Sequence, residues 1–307
     1  TLVNNDGSFS ITSTELSDNS YSFTVTSTDP AGNISIASSS KVIEIDTNSP
    51  IKPTITTITS ITNNNTPTLE GTAEADSIIT LYIDGNSSNV TTVTDSNGNF
   101  SIASNELSDN IYLFTVTSTD SAGNISSSSD SLSLTIDTIA PIQPIITTDI
   151  SITNNNVVTI EGTAEADSIV TLFINNVSSN ITATTNSEGN FLLTTTELSD
   201  DSYSFTVNSV DSAGNISIES NSQVIEIDTV LPTKPIITTN INFTNINTPI
   251  IEGTAEANSL ITLFIDGNNS NVTSVTNNDG IFSITSGELS DNIYLITVTS
   301  TDSAGNI

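Results

Sequence analysis

The string Glu-Leu-Ser-Asp begins at Glu15, Glu106, Glu197 and Glu288, each 91 residues after the one before. Glu-Gly-Thr-Ala-Glu-Ala begins at Glu70, Glu161 and Glu252 on the same spacing. Asp29, Asp120, Asp211 and Asp302 each open a Pro/Ser-Ala-Gly-Asn turn, again 91 residues apart. A strict period with no insertion means that one structural unit is repeated along the chain, so the fold must be one that 91 residues can complete and that tolerates a copy of itself on either side.

Proline and small polar residues interrupt the chain at 45–53, 136–144 and 227–235, in the strings IDTNSPIKP, IDTIAPIQP and IDTVLPTKP, and domain joints belong there. This gives complete copies at 48–138 and 139–229, the C-terminal half of a copy at 1–47, and a copy at 230–307 that lacks its last strand. The chain reads as a segment of a longer array.

Within one copy apolar residues alternate with period two, the signature of half-buried strands. Seven strands are expected: A near 54–57, B at 68–73, C at 78–84, D at 90–94, E at 100–103, F at 112–119 and G at 131–136. Seven short antiparallel strands in about 90 residues fit an all-β Ig-like sandwich of two sheets. Its core should take Ile79, Leu81 and Ile83 from C, Phe100 and Ile102 from E, Tyr112, Phe114 and Val116 from F, and Leu134 and Ile136 from G. Asp84-Gly85 and Asn97-Gly98 supply the positive-φ residues of tight reversals. Tyr21, Tyr112, Tyr203 and Tyr294 each open strand F in the frame Leu-Ser-Asp-x-x-Tyr, which resembles the tyrosine corner of Ig-like sandwiches, where the hydroxyl bonds the backbone of the E–F connection. Tyr82, Phe173 and Phe264 fall on the outward face of C, where a neighbouring strand or the edge of the second sheet should cover them.

Composition excludes whole classes of function. The chain has neither cysteine nor histidine, so disulfides, thiolate metal sites and Ser/His or Cys/His nucleophiles are out of reach. Asp and Glu number 35 against three lysines, Lys41, Lys52 and Lys234, giving a formal charge of −32 that makes nucleic acid and anionic membranes poor partners. No apolar run approaches the ~20 residues of a bilayer span.

The combination of EGTAEADS, a Gly-Asn or Asp-Gly turn before Phe, the T-V-T-S-x-D-S/P-A-G-N-I-S turn and the closing I-D-T-x-x-P resembles the tandem bacterial Ig-like domains of giant surface adhesins. The resemblance covers the whole chain. It implies an extracellular, non-enzymatic extender, and calcium at the domain joints that stiffens the rod.

The acids themselves also point to the joints. In an Ig-like topology the B–C and F–G loops of one copy face the exit of strand G of the copy before. That placement gathers Asp46 with Glu74, Asp76 and Asp120 at the first joint and Asp137 with Glu165, Asp167 and Asp211 at the second. At the third it gathers Asp228, Glu256 and Asp302, with Asn258 in place of the aspartate. Like charges about 4 Å apart repel by roughly 1 kcal/mol per pair in water and about four times that at an effective dielectric of 20. Hard oxygen ligands without nitrogen or sulfur select Ca²⁺, so an interdomain structural Ca²⁺ is expected at each joint, weakest at the third. Positions 84 and 95 drift between Asp and Asn from copy to copy, whereas the series of Asp29, Asp46, Glu70, Glu74, Asp109 and Asp120 do not. The expected function is a structural stalk of a surface or secreted adhesin, with neighbouring copies of the repeat as partners. The alternatives are repeats that assemble with other chains into a fibre or surface layer, or that bind a surface ligand.

Overall fold

The computed structural model describes residues 1–307, in strands and turns without a helix. It divides into two compact units, Thr1–Thr138 and Ile139–Ile307.

The first unit opens with a hairpin of β1 (Asn19–Phe23) and β2 (Lys41–Ile45). A sandwich of eight strands follows: β3 (Thr54–Ile55), β4 (Ile61–Thr62), β5 (Thr68–Thr72), β6 (Ile78–Ile83), β7 (Asn86–Val93), β8 (Asn99–Ala103), β9 (Asn110–Thr119) and β10 (Leu132–Ile136). One sheet has the order β3-β5-β8 and the other β4-β10-β9-β6-β7. Two features depart from the seven-strand expectation. The first strand is split, β3 pairing antiparallel with β5 in one sheet and β4 running parallel to β10 in the other. The segment expected as D starts earlier, at Asn86, and pairs with β6 in the five-stranded sheet. Its turn explains why: Asp84 and Gly85 both have positive φ, 51° and 77°, the geometry of a two-residue hairpin, so the chain must return beside β6 with no length left to cross between sheets.

Alternation then fills the core as the pattern requires. Leu69, Ile79, Leu81, Phe100, Ile102, Phe114, Val116, Leu134 and Ile136 are buried, with Ile83 and Tyr112 packed against them from the rim. Gly71 is fixed by contact: a Cβ there would collide with the carbonyl of Thr54 and the ring of Phe100, so the close approach of β3, β5 and the β8 aromatic needs glycine. The Tyr112 hydroxyl donates to the Ser108 carbonyl at 3.1 Å, closing the tyrosine corner.

The second unit repeats the plan. Its first copy holds β11 (Ile145–Ile146), β12 (Ile152–Thr153), β13 (Thr159–Thr163), β14 (Ile169–Ile174), β15 (Val177–Thr184), β16 (Asn190–Thr194), β17 (Asp201–Val210) and β18 (Gln223–Ile227), in sheets β11-β13-β16 and β12-β18-β17-β14-β15. Its second copy holds β19 (Ile236–Ile237), β20 (Ile250–Thr254), β21 (Leu260–Ile265), β22 (Asn268–Val275), β23 (Ile281–Thr285) and β24 (Ile296–Thr301), in sheets β19-β20-β23 and β22-β21-β24. A cavity of about 520 Å³ in this last copy, lined by Ile237, Phe243, Ile251 and Tyr294 among others, occupies the place that β12 and β18 fill in the copy before.

Candidate joint site between copies

The site is built from turns. Between β9 and the following segment, Asp120-Ser-Ala-Gly-Asn124 reverses the chain with Gly123 at φ 95°, a conformation that L side chains rarely adopt. Oδ1 of Asp120 accepts the backbone N–H groups of Gly123 at 2.8 Å and Asn124 at 2.9 Å, and Oδ2 accepts Nδ2 of Asn124 at 2.8 Å. The carboxylate thus holds the asparagine amide with one of its hydrogens directed outward. That amide donates to the backbone carbonyl of Asp46 at 3.1 Å, across the joint with the preceding copy.

The second unit makes the same arrangement after β24. Asp302 accepts Ala304 N, Gly305 N, Asn306 N and Asn306 Nδ2 at 2.8–2.9 Å. Asn306 Nδ2 donates to the carbonyl of Asp228 at 2.9 Å. A further bond joins the two copies here, from Asn154 N at the end of β12 to the Ala304 carbonyl at 3.1 Å. Asn306 is buried in this contact, at 7% exposure.

The receiving side is a fastened strand exit. Thr138, just beyond β10, donates N–H and hydroxyl to Oδ1 of Asp109 at 3.0 and 2.8 Å; Thr47 does the same to Asp18, and Thr229 donates its hydroxyl to Asp200 at 2.8 Å. Oδ1 of Asp46 accepts Asn48 N at 3.0 Å and Oδ1 of Asp228 accepts Val230 N at 3.0 Å. The acid of Leu-Ser-Asp therefore ties the β8–β9 connection to the end of β10.

The remaining expected ligands sit in the β5–β6 loop and its counterparts. Glu74 is exposed; its backbone carbonyl accepts the hydroxyls of Ser77 at 2.8 Å and Thr94 at 2.6 Å. Glu165 repeats this with Ser168 and Thr185, and Glu256 with Ser259 and Thr276. One oxygen of Glu256 also accepts Thr233 N at 3.3 Å. Asp76, Asp167 and Asn258 all have positive φ, near 60°. Of the second set, Asp137 lies in the first unit, whereas Glu165, Asp167 and Asp211 lie in the second, where Asp211 caps its own turn as Asp120 does. Within neither unit do three carboxylates come together as a group able to hold a metal ion. The structure brings the F–G turn to the strand exit as expected, but the contact it makes there is an amide on a carbonyl.

The turn acids stay ionised below the usual carboxylate range. For Asp120 the Asn124 side chain is the main cause, opposed by desolvation and helped by the backbone N–H groups of residues 122–124. For Asp211 and Asp302 desolvation is the largest influence and pushes upward, but the asparagine side chain and three backbone donors together outweigh it.

These bonds account for the drift at position 84. Asp84, Asn175 and Asp266 each offer one side-chain oxygen to a backbone N–H, of Leu113, Ser204 and Leu295, which an amide oxygen serves equally well. In the 120 series Oδ2 accepts the Nδ2 of the turn asparagine, but Asp95 makes the same bond to Asn99 at 3.1 Å and is replaced by Asn186 and Asn277 in the other copies, so the turn alone does not demand the acid. What distinguishes the 120 series is that its asparagine, Asn124 or Asn306, also reaches the preceding copy. At position 258 a left-handed residue is required, and Asn satisfies that as Asp does. Sequence reasoning missed Asn124 and Asn306. Their signal was present in the repeated Asp-x-Ala-Gly-Asn string, but asparagine is common in this chain. Tyr82, Phe173 and Phe264 are half-buried on strands that are paired on both sides, β6, β14 and β21.

The profile of the Bacterial Ig-like domain matches residues 1–47, 55–138, 146–229 and 237–307. The chain belongs to this family. As a run of bacterial Ig-like domains it is a repeated structural module of a surface or secreted protein, located outside the cell, and it carries no catalytic constellation. No curated protein matches it. Among solved structures it is similar to the fibronectin(III)-like modules of Clostridium thermocellum CbhA, at 12% identity over 57% of this chain and 94% of that one, TM-score 0.41. The D0–D1 domain of intimin shares 13% identity over 57% of this chain and 97% of its own, TM-score 0.22. The BSP domain of a biofilm associated protein shares 19% over 58% of this chain, TM-score 0.25, and the Ig-like array spans 30% of that chain. These likenesses carry the argument no further than the family does.

Proposed function

We propose that this Ig-like array is a spacer: a stalk segment that holds another part of a surface adhesin away from the cell. The observation that carries the reading is the joint itself. In each unit the F–G turn of one copy is hydrogen-bonded to the strand exit of the copy before it, so consecutive copies engage by opposite ends. A module that joins end to exit adds length with every repeat, and sandwiches of this strand length contribute on the order of 40 Å each. The charge of −32, spread over exposed turns, disfavours collapse of the copies onto one another.

Small-angle scattering of the chain tests this. The expected particle is elongated, with a longest dimension of about 120–150 Å for roughly three sandwiches. A compact particle in both millimolar calcium and chelator would sink the spacer reading. Extension present in calcium and lost in chelator would instead give the joints to Ca²⁺ held by Asp46, Glu74, Asp76 and Asp120 and their counterparts.

A further inference from the structure

We propose that the Asp-Asn pair of the F–G turn is a metal-independent latch, with Asn124 and Asn306 as the contact residues, Asp120 and Asp302 as the residues that position them, and the strand-exit carbonyl of a preceding copy as the surface they recognise. The proposal rests on the spacer reading and gives it a joint chemistry.

Its first support is that each asparagine amide spends both hydrogens, one on the turn aspartate and one on the neighbouring copy: 2.8 and 3.1 Å for Asn124, 2.8 and 2.9 Å for Asn306. An amide already held on one side is oriented before the copies meet, so little side-chain freedom remains to be lost on docking. Second, the turn at Asp29-Asn33 has the same internal bonds, Oδ2 of Asp29 accepting Nδ2 of Asn33 at 2.8 Å, while its asparagine is exposed and shows no bond across a joint. The turn is thus formed independently of a joint and is not shaped by it. Third, the receiving carbonyl is held too, because the residue after it is tied to the acid of Leu-Ser-Asp, Thr47 to Asp18 and Thr229 to Asp200. Fourth, the same turn makes a second bond to the preceding copy, the Ala304 carbonyl accepting the Asn154 backbone N–H at 3.1 Å; Gly305 is set by its φ of 95° and not by crowding, since a Cβ there would meet Asn154 at an ordinary 3.6 Å. The recognised feature is a backbone carbonyl, so the latch fits any copy that ends in Ile-Asp-Thr regardless of its surface side chains. That suits an array in which every joint must form with the next copy in line.

The absence of cysteine makes a direct test practical. Spin labels on cysteines placed at Ser40 and Asn86, one on each side of the first joint, report its spread of distances in the full chain. The parent is expected to give one narrow distribution, the same in calcium and in chelator. Asn124→Ala and Asn124→Asp are each expected to broaden it in both conditions, with the strand signal in circular dichroism unchanged. Asn124→Asp separates the two chemistries, since it removes the donor while adding a carboxylate that a calcium site would welcome. A parent distribution that broadens only in chelator, or either variant as narrow as the parent, would overturn the latch. Scattering of the same samples reports the spacer reading separately: an extended particle with a loose first joint would retain the spacer and its jointed form, whereas a compact parent would remove the spacer itself.

Discussion

Gly71 sits where the Phe100 ring and the β3 backbone leave no room for a methyl group. Gly71→Ala should therefore destabilise its sandwich by about 1–3 kcal/mol, the usual cost of overpacking a dense site, and thermal unfolding of the chain should show one transition moving down while the others stay. Tyr112→Phe tests a milder bond; losing the hydroxyl's hold on the Ser108 carbonyl should cost about 0.5–1.5 kcal/mol. The turn aspartates set a pH dependence. Asp29, Asp95, Asp120, Asp211 and Asp302 all have lowered folded-state pKa values, so the unfolded chain binds protons more readily than the folded one. Their stabilisation is complete above the ordinary aspartate pKa of 3.8 and is lost as pH falls through the lower folded values. Thermal scans should find the midpoint falling steeply below about pH 4, and the fall should be shallower for Asp120→Asn together with Asp302→Asn. An unchanged slope in that variant would show that these turns do not carry the effect.

At the scale of strands, the period-two pattern was enough to place β5, β6, β8, β9 and β10 and nearly all of their inward residues, because burial on one face leaves a mark on every second position. What it could not place was the partner of each strand. Asn86–Val93 alternates equally well in either sheet, and only the backbone of Asp84-Gly85 decides that it returns beside β6. Strand β4 is two residues long, too short for periodicity to register, and is defined by its parallel pairing with β10. The joint was legible as a place and not as a chemistry. Invariant acids drew attention to the F–G turn and the strand exit. Their oxygens, however, are used by nearby donors, and that is visible only when Asn124, Thr138 and the turn backbone are in position. The tie between the β8–β9 connection and the end of β10 can be tested directly. Asp109→Ala removes both bonds to Thr138, and amide hydrogen exchange is expected to speed up at residues 134–138 while β5 and β8 stay protected. Equal acceleration across the copy would mean that the acid stabilises the whole sandwich and not the exit.

For the whole molecule, each sandwich keeps its own core: Leu69 to Ile136 in one cluster, Val158 to Ile227 in another and Ile251 to Ile284 in a third. The docked turns add hydrogen bonds between copies without merging those cores, so copies should fold and fail separately, as repeat arrays do when their interface terms are small. This independence is what a spacer needs, since a pull on the chain then opens one copy at a time. Pulling single molecules from both ends measures it most directly. The two complete copies should open in separate events, each lengthening the chain by on the order of 280 Å, from 91 residues at roughly 3.5 Å each less a folded length of about 40 Å. A single event releasing both copies together, or extension with no resolved steps, would contradict the account of the chain as an array of independent load-bearing modules.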